Sequence, residues 1–303
     1  MHIFYNEQYV APTYAADTTR KSKLIAEKIG LDKVTDPSGG IVNAIEEICA
    51  VHDIEYIESL QSGLPNYLAE SNNFRWDSGI WSMAINSTAG VLAACETAYR
   101  GIDKLTLPSI ISGSLSSGLH HAHTNGGAGY CTVNGLAVAA NAFDSLNITI
   151  LDFDAHNGGG TIEILRNLGI DDRVRQYDVS TNMFDSYEQD DKHLIMISDN
   201  DEDYIHDVNI TLDYLVDWDE TDLILYNAGV DPYPEISHNT LAHRDELVFN
   251  KCVSTTTPCV FVLAGGYTND QDMDSLVESH MATIYAAQSA ETRPSKGKAQ
   301  LQA

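Results

Sequence analysis

The stretch from Asn147 to Thr161 concentrates residue types that bind metal ions and move protons. Its first residues, Ile148 to Leu151, are β-branched or aliphatic and predict a buried strand. Asp152, Asp154 and His156 follow, and alternate residues of an extended backbone point to the same side. Asp154 and His156 can therefore approach one point, as the ligands of a metal ion do. A solvated strand end whose acids cap the next helix explains this motif equally well when it is taken alone.

Length and composition favour one large domain. The chain has 303 residues, of which 43% are hydrophobic, and no run of 18 apolar residues that would predict a membrane span. We expect a catalytic domain over residues 1–290 and a loose tail over 291–303. The five cysteines are scattered without a C-x-x-C pair, and the amino-terminal residues show no signal-peptide pattern. Both features predict free thiols and a cytoplasmic location.

The charge of the chain restricts its partners. Forty-four acidic residues against 17 Lys and Arg give a net charge of −27. Nucleic acid is not an expected partner, because its phosphates require a basic surface. A cationic substrate, a saline cytoplasm and solubility alone each account for the acidity, and charge does not separate these three explanations.

Strands and helices alternate along the chain, which predicts a mostly parallel sheet with helices on both faces. Loops at the carboxyl ends of such strands share one edge, where sites form. We therefore expect the polar and glycine-rich segments that follow four strand-like runs to meet there. The runs are Ile110–Ile111, Ile148–Leu151, Leu223–Tyr226 and Cys259–Leu263. The side chains expected to converge are His120, His121, Asp154, His156, Asp231 and Tyr267. Val174 to Val179 predicts another strand, followed by an aromatic and acidic loop, STNMFDSYEQDD.

Five segments, in order, resemble the signature blocks of the histone deacetylase and acetylpolyamine amidohydrolase family of zinc hydrolases. They are SGLHHAH, GAGYCTVNGLAVAA, LDFDAHNGGGT, NAGVDP and AGGYT. VHDIEYIESL, FRWD and STAGVLAACETAY are similar to earlier segments of that family, so the resemblance covers most of residues 1–290. It implies the arginase-deacetylase fold, one zinc ion per chain and hydrolysis of an acylated amine.

The resemblance also implies roles for individual residues. Asp154, His156 and Asp231 would be the zinc ligands. The tandem histidines and the catalytic tyrosine would be His120, His121 and Tyr267. Asp152 would be the buried acid behind His120, in surroundings that resemble the family's structural potassium site. Residues of the substrate channel would be Gly129, Tyr130 and Gly265.

Two positions depart from the family's pattern. Gly159 stands where the family usually has Asp or Asn, whose side chain orients the second histidine. Asn157 replaces a usual His beside His156. If no other group orients His121, its pKa and tautomer would change, and a Gly159→Asn or Gly159→Asp substitution should raise turnover. Asn157 and a bound water are the first candidates for a replacement partner.

The same residues leave two alternatives. The D-A-H motif is also similar to that of arginases and agmatinases, which hold two manganese ions. Their motif needs a further acid where this chain has Gly158, and the run YNAGVDP offers only Asp231, so one metal ion is favoured. The second alternative is a catalytically weakened relative that binds metal and an acyl-amine ligand as a sensor or scaffold. Acetyl-lysine, acetylpolyamines and acylated small molecules all remain open as substrates, as does the oligomeric state.

Overall fold

The computed structural model of this chain describes residues 1–14, 16–100, 109–116 and 119–292. Its last helix ends at Thr292, two residues into the segment expected to form a tail. Residues 293–303 of that expected tail lie outside the described part.

A single seven-stranded sheet organises the described residues. Every strand pair is parallel, and the spatial order is β1-β2-β7-β6-β3-β4-β5. The strands are β1 His2–Phe4, β2 Ile111–Ser114, β3 Ile148–Asp152, β4 Val174–Ser180, β5 His193–Ile197, β6 Leu223–Gly229 and β7 Cys259–Ala264. This architecture confirms the predicted parallel sheet flanked by helices.

Ten α-helices are present among the described residues, and they cover the two faces of the sheet. They are α1 Asp17–Ile29, α2 Ile41–Val51, α3 Ile54–Ser62, α4 Asn66–Ala69, α5 Gly79–Arg100, α6 Gly135–Ala142, α7 Gly159–Leu168, α8 Asp201–Ile210, α9 His238–Thr255 and α10 Met273–Thr292. Buried residues of α1, α8, α9 and α10 form one apolar core with the sheet, and those of α2, α3, α5, α6 and α7 form the other. No helix of the described residues is long and apolar enough to cross a membrane.

The sequence of β6 shows why these segments form strands. All seven of its residues are buried. Leu223 and Leu225 face one core, whereas Ile224 and Tyr226 face the other. A strand covered on both faces carries a continuous apolar run rather than an alternating one, as is typical of parallel sheets.

Five neighbouring strands end beside one another and place the functional loops. In the spatial order β2, β7, β6, β3 and β4, each strand runs in the same direction, so their carboxyl ends share one edge. The register pairs Asp152, the last residue of β3, with Asn227 of β6. Sites of parallel α/β proteins form at such an edge.

Candidate metal centre and active site

Three side chains converge just beyond the ends of β3 and β6. Asp154 and His156 follow β3, and Asp231 lies two residues after β6. One ligand atom from each of the three lies within 4.8 Å of the others. His156 Nδ1 is 3.1 Å from Asp154 Oδ1 and 3.4 Å from Asp231 Oδ2. The structure thus assembles one imidazole nitrogen and two carboxylates around a common point.

The chemistry of this donor set fits a divalent cation. Asp231 Oδ2 is buried and has no hydrogen-bond partner among the described residues, so a lone pair remains to be satisfied. Burial and then the charge of Asp154 raise the pKa of Asp231, because two buried carboxylates repel each other. A cation between them would remove this repulsion. Two oxygens and one imidazole nitrogen form a ligand set that zinc accepts in open sites.

A second group of possible ligands shares Asp154. Ligand atoms of His120, His121 and Asp154 also lie within 4.8 Å of one another, and all three residues are buried. His120 Nε2 is 3.5 Å from Asp154 Oδ1. The Nδ1 atom of each of these histidines contacts a carboxylate instead, which is how acid-base histidines are commonly oriented. The group with Asp231 is the better candidate because it contains the unpartnered oxygen.

Asp152 orients His120 from beneath the site. Its Oδ2 lies 2.8 Å from His120 Nδ1, and its Oδ1 accepts a 2.7 Å hydrogen bond from Asn227 Nδ2. Burial opposes protonation of His120, but the charges of Asp152 and Asp154 outweigh it and raise the pKa of His120 to about 10. Each side-chain oxygen of Asp152 therefore contacts a group of the protein. The potassium site stays a prediction.

His121 has a carboxylate partner that the sequence analysis did not identify. His121 Nδ1 lies 2.7 Å from Oδ2 of Asp185, which belongs to the loop after β4. The concern that His121 lacks an orienting group was therefore wrong, and so were the two candidates named for that place. The pKa of His121 is lowered, but the causes are burial and then the charge of His120 rather than a missing partner.

Gly159 and Asn157 both contact the loop that carries Asp185. A Cβ atom added at Gly159 would overlap the backbone carbonyl and the carboxylate of Asp185. The Asn157 side chain donates hydrogen bonds of 3.2 Å to the carbonyls of Asn182 and Phe184. The expected gain from Gly159→Asn or Gly159→Asp is accordingly withdrawn, since the space that either side chain would need is filled.

We expect Gly159→Ala to destabilise the fold by about 1–3 kcal/mol, the usual cost of forcing extra volume into a packed site. Thermal unfolding of the variant and the parent protein measures this. Gly39→Ala is the matched control, because an added Cβ there meets nothing within 4 Å. An unchanged melting temperature for Gly159→Ala would show that the Asp185 loop is not packed against this position.

Tyr267 lies on the loop after β7, directly after two glycines with left-handed backbone angles. Gly265 and Gly266 have φ values of +59° and +83°, which side-chain-bearing residues rarely adopt. A Cβ atom at Gly265 would also overlap the Asp231 carboxylate, so this glycine brings the loop against the candidate metal centre. Burial and then the charge of Asp231 raise the pKa of Tyr267, so the phenol keeps its proton and acts as a donor.

A narrow cleft contains these groups. Its lining comprises His120, His121, Gly129, Tyr130, Cys131, Asp154, His156, Ala264, Gly265 and Tyr267. Gly129 has a φ of +51°, and an added Cβ would overlap the His121 ring. Tyr130, at a φ of +65°, stacks on Phe74 with ring centroids 5.5 Å apart. Eight of the ten predicted site residues therefore line one cleft, with Asp231 and Asp152 behind it.

Several contacts of the site were missed in the sequence. Phe184 packs its ring against His121 and His156, with centroid distances of 5.0 and 5.6 Å. His123 Nε2 lies 3.5 Å from Asp185 Oδ1. The position of their loop in the chain could have indicated a role for Phe184 and Asp185. The loop STNMFDSYEQDD follows a strand of the same sheet, as the other functional loops do.

Comparison with known proteins places the chain in a family. Residues 41–284 match the model of the histone deacetylase domain. An uncharacterized protein of Picosynechococcus sp. is 25% identical over 252 residues, covering 78% of this chain and 80% of that protein. Histone deacetylase 2 of Arabidopsis thaliana is 28% identical over 171 residues, covering 51% of this chain and 43% of that protein.

Solved structures show the same fold. The crystal structure of acetylpolyamine aminohydrolase from Burkholderia pseudomallei superposes with a TM-score of 0.73 at 17% identity. It covers 96% of this chain and 99% of the other. Since the family model spans most of the sequence and the fold agrees, this chain belongs to the histone deacetylase domain family.

Proposed function

We propose that this chain is a zinc-dependent amidohydrolase that removes an acetyl or similar acyl group from an amine. The observation that carries the proposal is the convergence of Asp154, His156 and Asp231, with the unpartnered Asp231 Oδ2, at the base of a cleft lined by two histidines and a tyrosine. Membership in the histone deacetylase domain family supports the same reaction class.

Asp154, His156 and Asp231 would hold the zinc ion, which when bound supplies Lewis acidity to the water and the amide carbonyl. His121, whose Nδ1 faces Asp185, offers Nε2 to accept the proton of the attacking water. One histidine of the tandem pair then protonates the leaving amine. Tyr267 keeps its proton and donates it in a hydrogen bond to the oxyanion of the tetrahedral intermediate.

The substrate class follows from the reaction. Acetyl-lysine, acetylpolyamines and acylated small molecules present the same amide, and each amine product is cationic at neutral pH. The net charge of −27 favours an amine-bearing molecule over an anionic one. The neighbouring solved structure is that of an acetylpolyamine aminohydrolase, so acetylpolyamines belong in the first substrate panel.

The alternative of a weakened relative that only binds metal and ligand rested on Gly159. Asp185 now stands beside His121 in the place of the missing side chain, which supports the enzyme over the sensor. Hydrolysis of a panel of acetylated peptides, polyamines and small amides, with and without a chelator, tests the proposal. Metal-loaded protein that binds these amides without hydrolysing any of them would support the alternative instead.

We expect purified protein to contain about one zinc ion per chain, because the ligand set with Asp231 suits a single open site. Elemental analysis of the purified protein measures the ratio. Two tightly bound ions per chain would show that the second group, His120, His121 and Asp154, also binds metal. That result would overturn the assignment of the two histidines to proton transfer and revive the two-metal alternative.

A further inference from the structure

We propose that Asp185 is the positioning residue of His121, and that Gly159 and Asn157 adapt the site to a carboxylate supplied by the loop after β4. The inference rests on the proposed function, in which His121 accepts a proton. It assigns one task to three residues that the reaction itself does not use.

The contact between Asp185 and His121 sets the state of the imidazole. The atoms are 2.7 Å apart, within the range of a charge-assisted hydrogen bond. An ionised carboxylate can only accept, so His121 Nδ1 carries the hydrogen and Nε2 keeps the free lone pair. This tautomer is the one that a base acting through Nε2 requires.

Asp185 is held in place by several independent contacts. Its carboxylate accepts a 3.1 Å hydrogen bond from the Gly160 N–H at the start of α7, and His123 Nε2 lies 3.5 Å from its other oxygen. Burial opposes ionisation, but the hydrogen bonds from His121 and His123 outweigh it and lower the pKa of Asp185 to about 2. The side chain is only 14% exposed, so its charge acts on His121 with little screening.

The backbone of Asp185 is itself unusual. Its φ of 56° lies in the left-handed region, which Asp and Asn adopt more readily than other side-chain-bearing residues. Strained conformations of this kind persist where surrounding contacts fix them, and they cluster at functional sites.

The two departures from the family pattern explain how the loop reaches the site. Gly159 leaves the volume that the Asp185 carbonyl and carboxylate occupy. Asn157 binds the carbonyls of Asn182 and Phe184, which lie three residues and one residue before Asp185 in the chain. Gly159 leaves room for the loop, and Asn157 binds it. The two residues therefore act together on the position of Asp185.

A purely structural role for Asp185, as an anchor of its loop, makes a different prediction. Asn at this position keeps the size of the side chain, tolerates the left-handed backbone and can accept the Gly160 hydrogen bond. Both contacts use the same oxygen, so Asn can also accept from His121 Nδ1 and removes only the negative charge, whereas Gly removes the acceptor as well. In Asp185→Gly, the melting temperature reports anchoring of the loop and the His121 N–H signal reports positioning, and Asp185→Asn is the conservative rescue.

We expect Asp185→Gly to lower kcat by about 10- to 100-fold, the usual cost of removing such a partner, and Asp185→Asn to retain more of the parent kcat because its amide oxygen can still accept from His121. KM, zinc content and melting temperature of Asp185→Asn should stay near those of the parent protein, because no ligand or substrate contact is removed. Asp191→Asn, the same change at an exposed position of the same loop, is the control and should retain the parent kcat. A parent-like kcat for Asp185→Gly would overturn the proposal.

A spectroscopic measurement keeps the test independent of turnover. Proton NMR of the metal-loaded protein should show strongly deshielded imidazole N–H signals from the His121–Asp185 and His120–Asp152 pairs. Asp185→Gly should remove the first signal and leave the second, which serves as internal reference. If the parent protein hydrolyses no acyl amine, the proposed function fails, but this signal still decides whether Asp185 holds the His121 proton. Its persistence in Asp185→Gly would refute the assignment.

Discussion

Asp231→Ala is expected to abolish both bound zinc and measurable hydrolysis while leaving the fold intact. Asp231 supplies the buried oxygen that has no hydrogen-bond partner in the described part of the chain, and its charge is already opposed by burial and by Asp154. Removing it leaves two ligands, which cannot hold zinc in an open three-ligand site. The fold should persist because the substitution relieves repulsion between two buried carboxylates.

Elemental analysis, a hydrolysis assay and circular dichroism of Asp231→Ala measure these three properties. Chelation offers a further readout, because a ligand at about 1,000 times its Kd stabilises the folded state by about 4 kcal/mol. A chelator should therefore lower the melting temperature of the parent protein and leave that of the variant unchanged. Asp219→Ala, at an exposed position, is the matched control. Full zinc content in Asp231→Ala would remove Asp231 from the metal centre.

Tyr267→Phe is expected to lower kcat by about 10²- to 10³-fold, the usual effect of losing one oxyanion donor. The phenol keeps its proton because burial and the charge of Asp231 raise its pKa, so the hydroxyl is available as a donor. KM should change little, since the hydrogen bond strengthens only when charge develops on the oxygen. Zinc content should be unaffected because Tyr267 is outside the ligand group.

Steady-state kinetics on the best substrate of the panel tests Tyr267→Phe. Tyr214→Phe makes the same chemical change at a side chain that is 83% exposed, and it should behave as the parent protein does. A fall in zinc content together with kcat would point to a structural effect instead. If kcat of Tyr267→Phe equals that of the parent, another group stabilises the oxyanion.

The strands of the sheet could be predicted from the local sequence. Ile148 to Leu151 and Cys259 to Leu263 are apolar runs because their residues are covered on both faces, and such coverage leaves a continuous pattern. The parallel arrangement followed from the alternation of strands with helices, because parallel neighbours require a crossover. Since parallel strands end at one edge, the shared position of the functional loops could also be inferred.

By itself, the sequence determined which residues could meet at the metal centre. Asp154 and His156 are two residues apart beyond a strand, and Asp231 follows the end of another, so their approach depends only on strand direction and order. These constraints are local, and each leaves a pattern in the chain.

The partner of His121 was decided only by the tertiary structure. Asp185 lies 64 residues further along the chain, in a loop without periodicity, and no spacing rule connects the two. Its approach depends on the volume left free at Gly159 and on the bonds from Asn157 to the preceding carbonyls. From the sequence, Gly159 seemed to leave His121 without an orienting side chain. In the fold, the Asp185 carboxylate occupies the space beside Gly159 and contacts His121. Whether the space beside Gly159 is filled depends on which distant residues pack there. Packing of this kind is set by the three-dimensional structure and leaves no pattern in the local sequence.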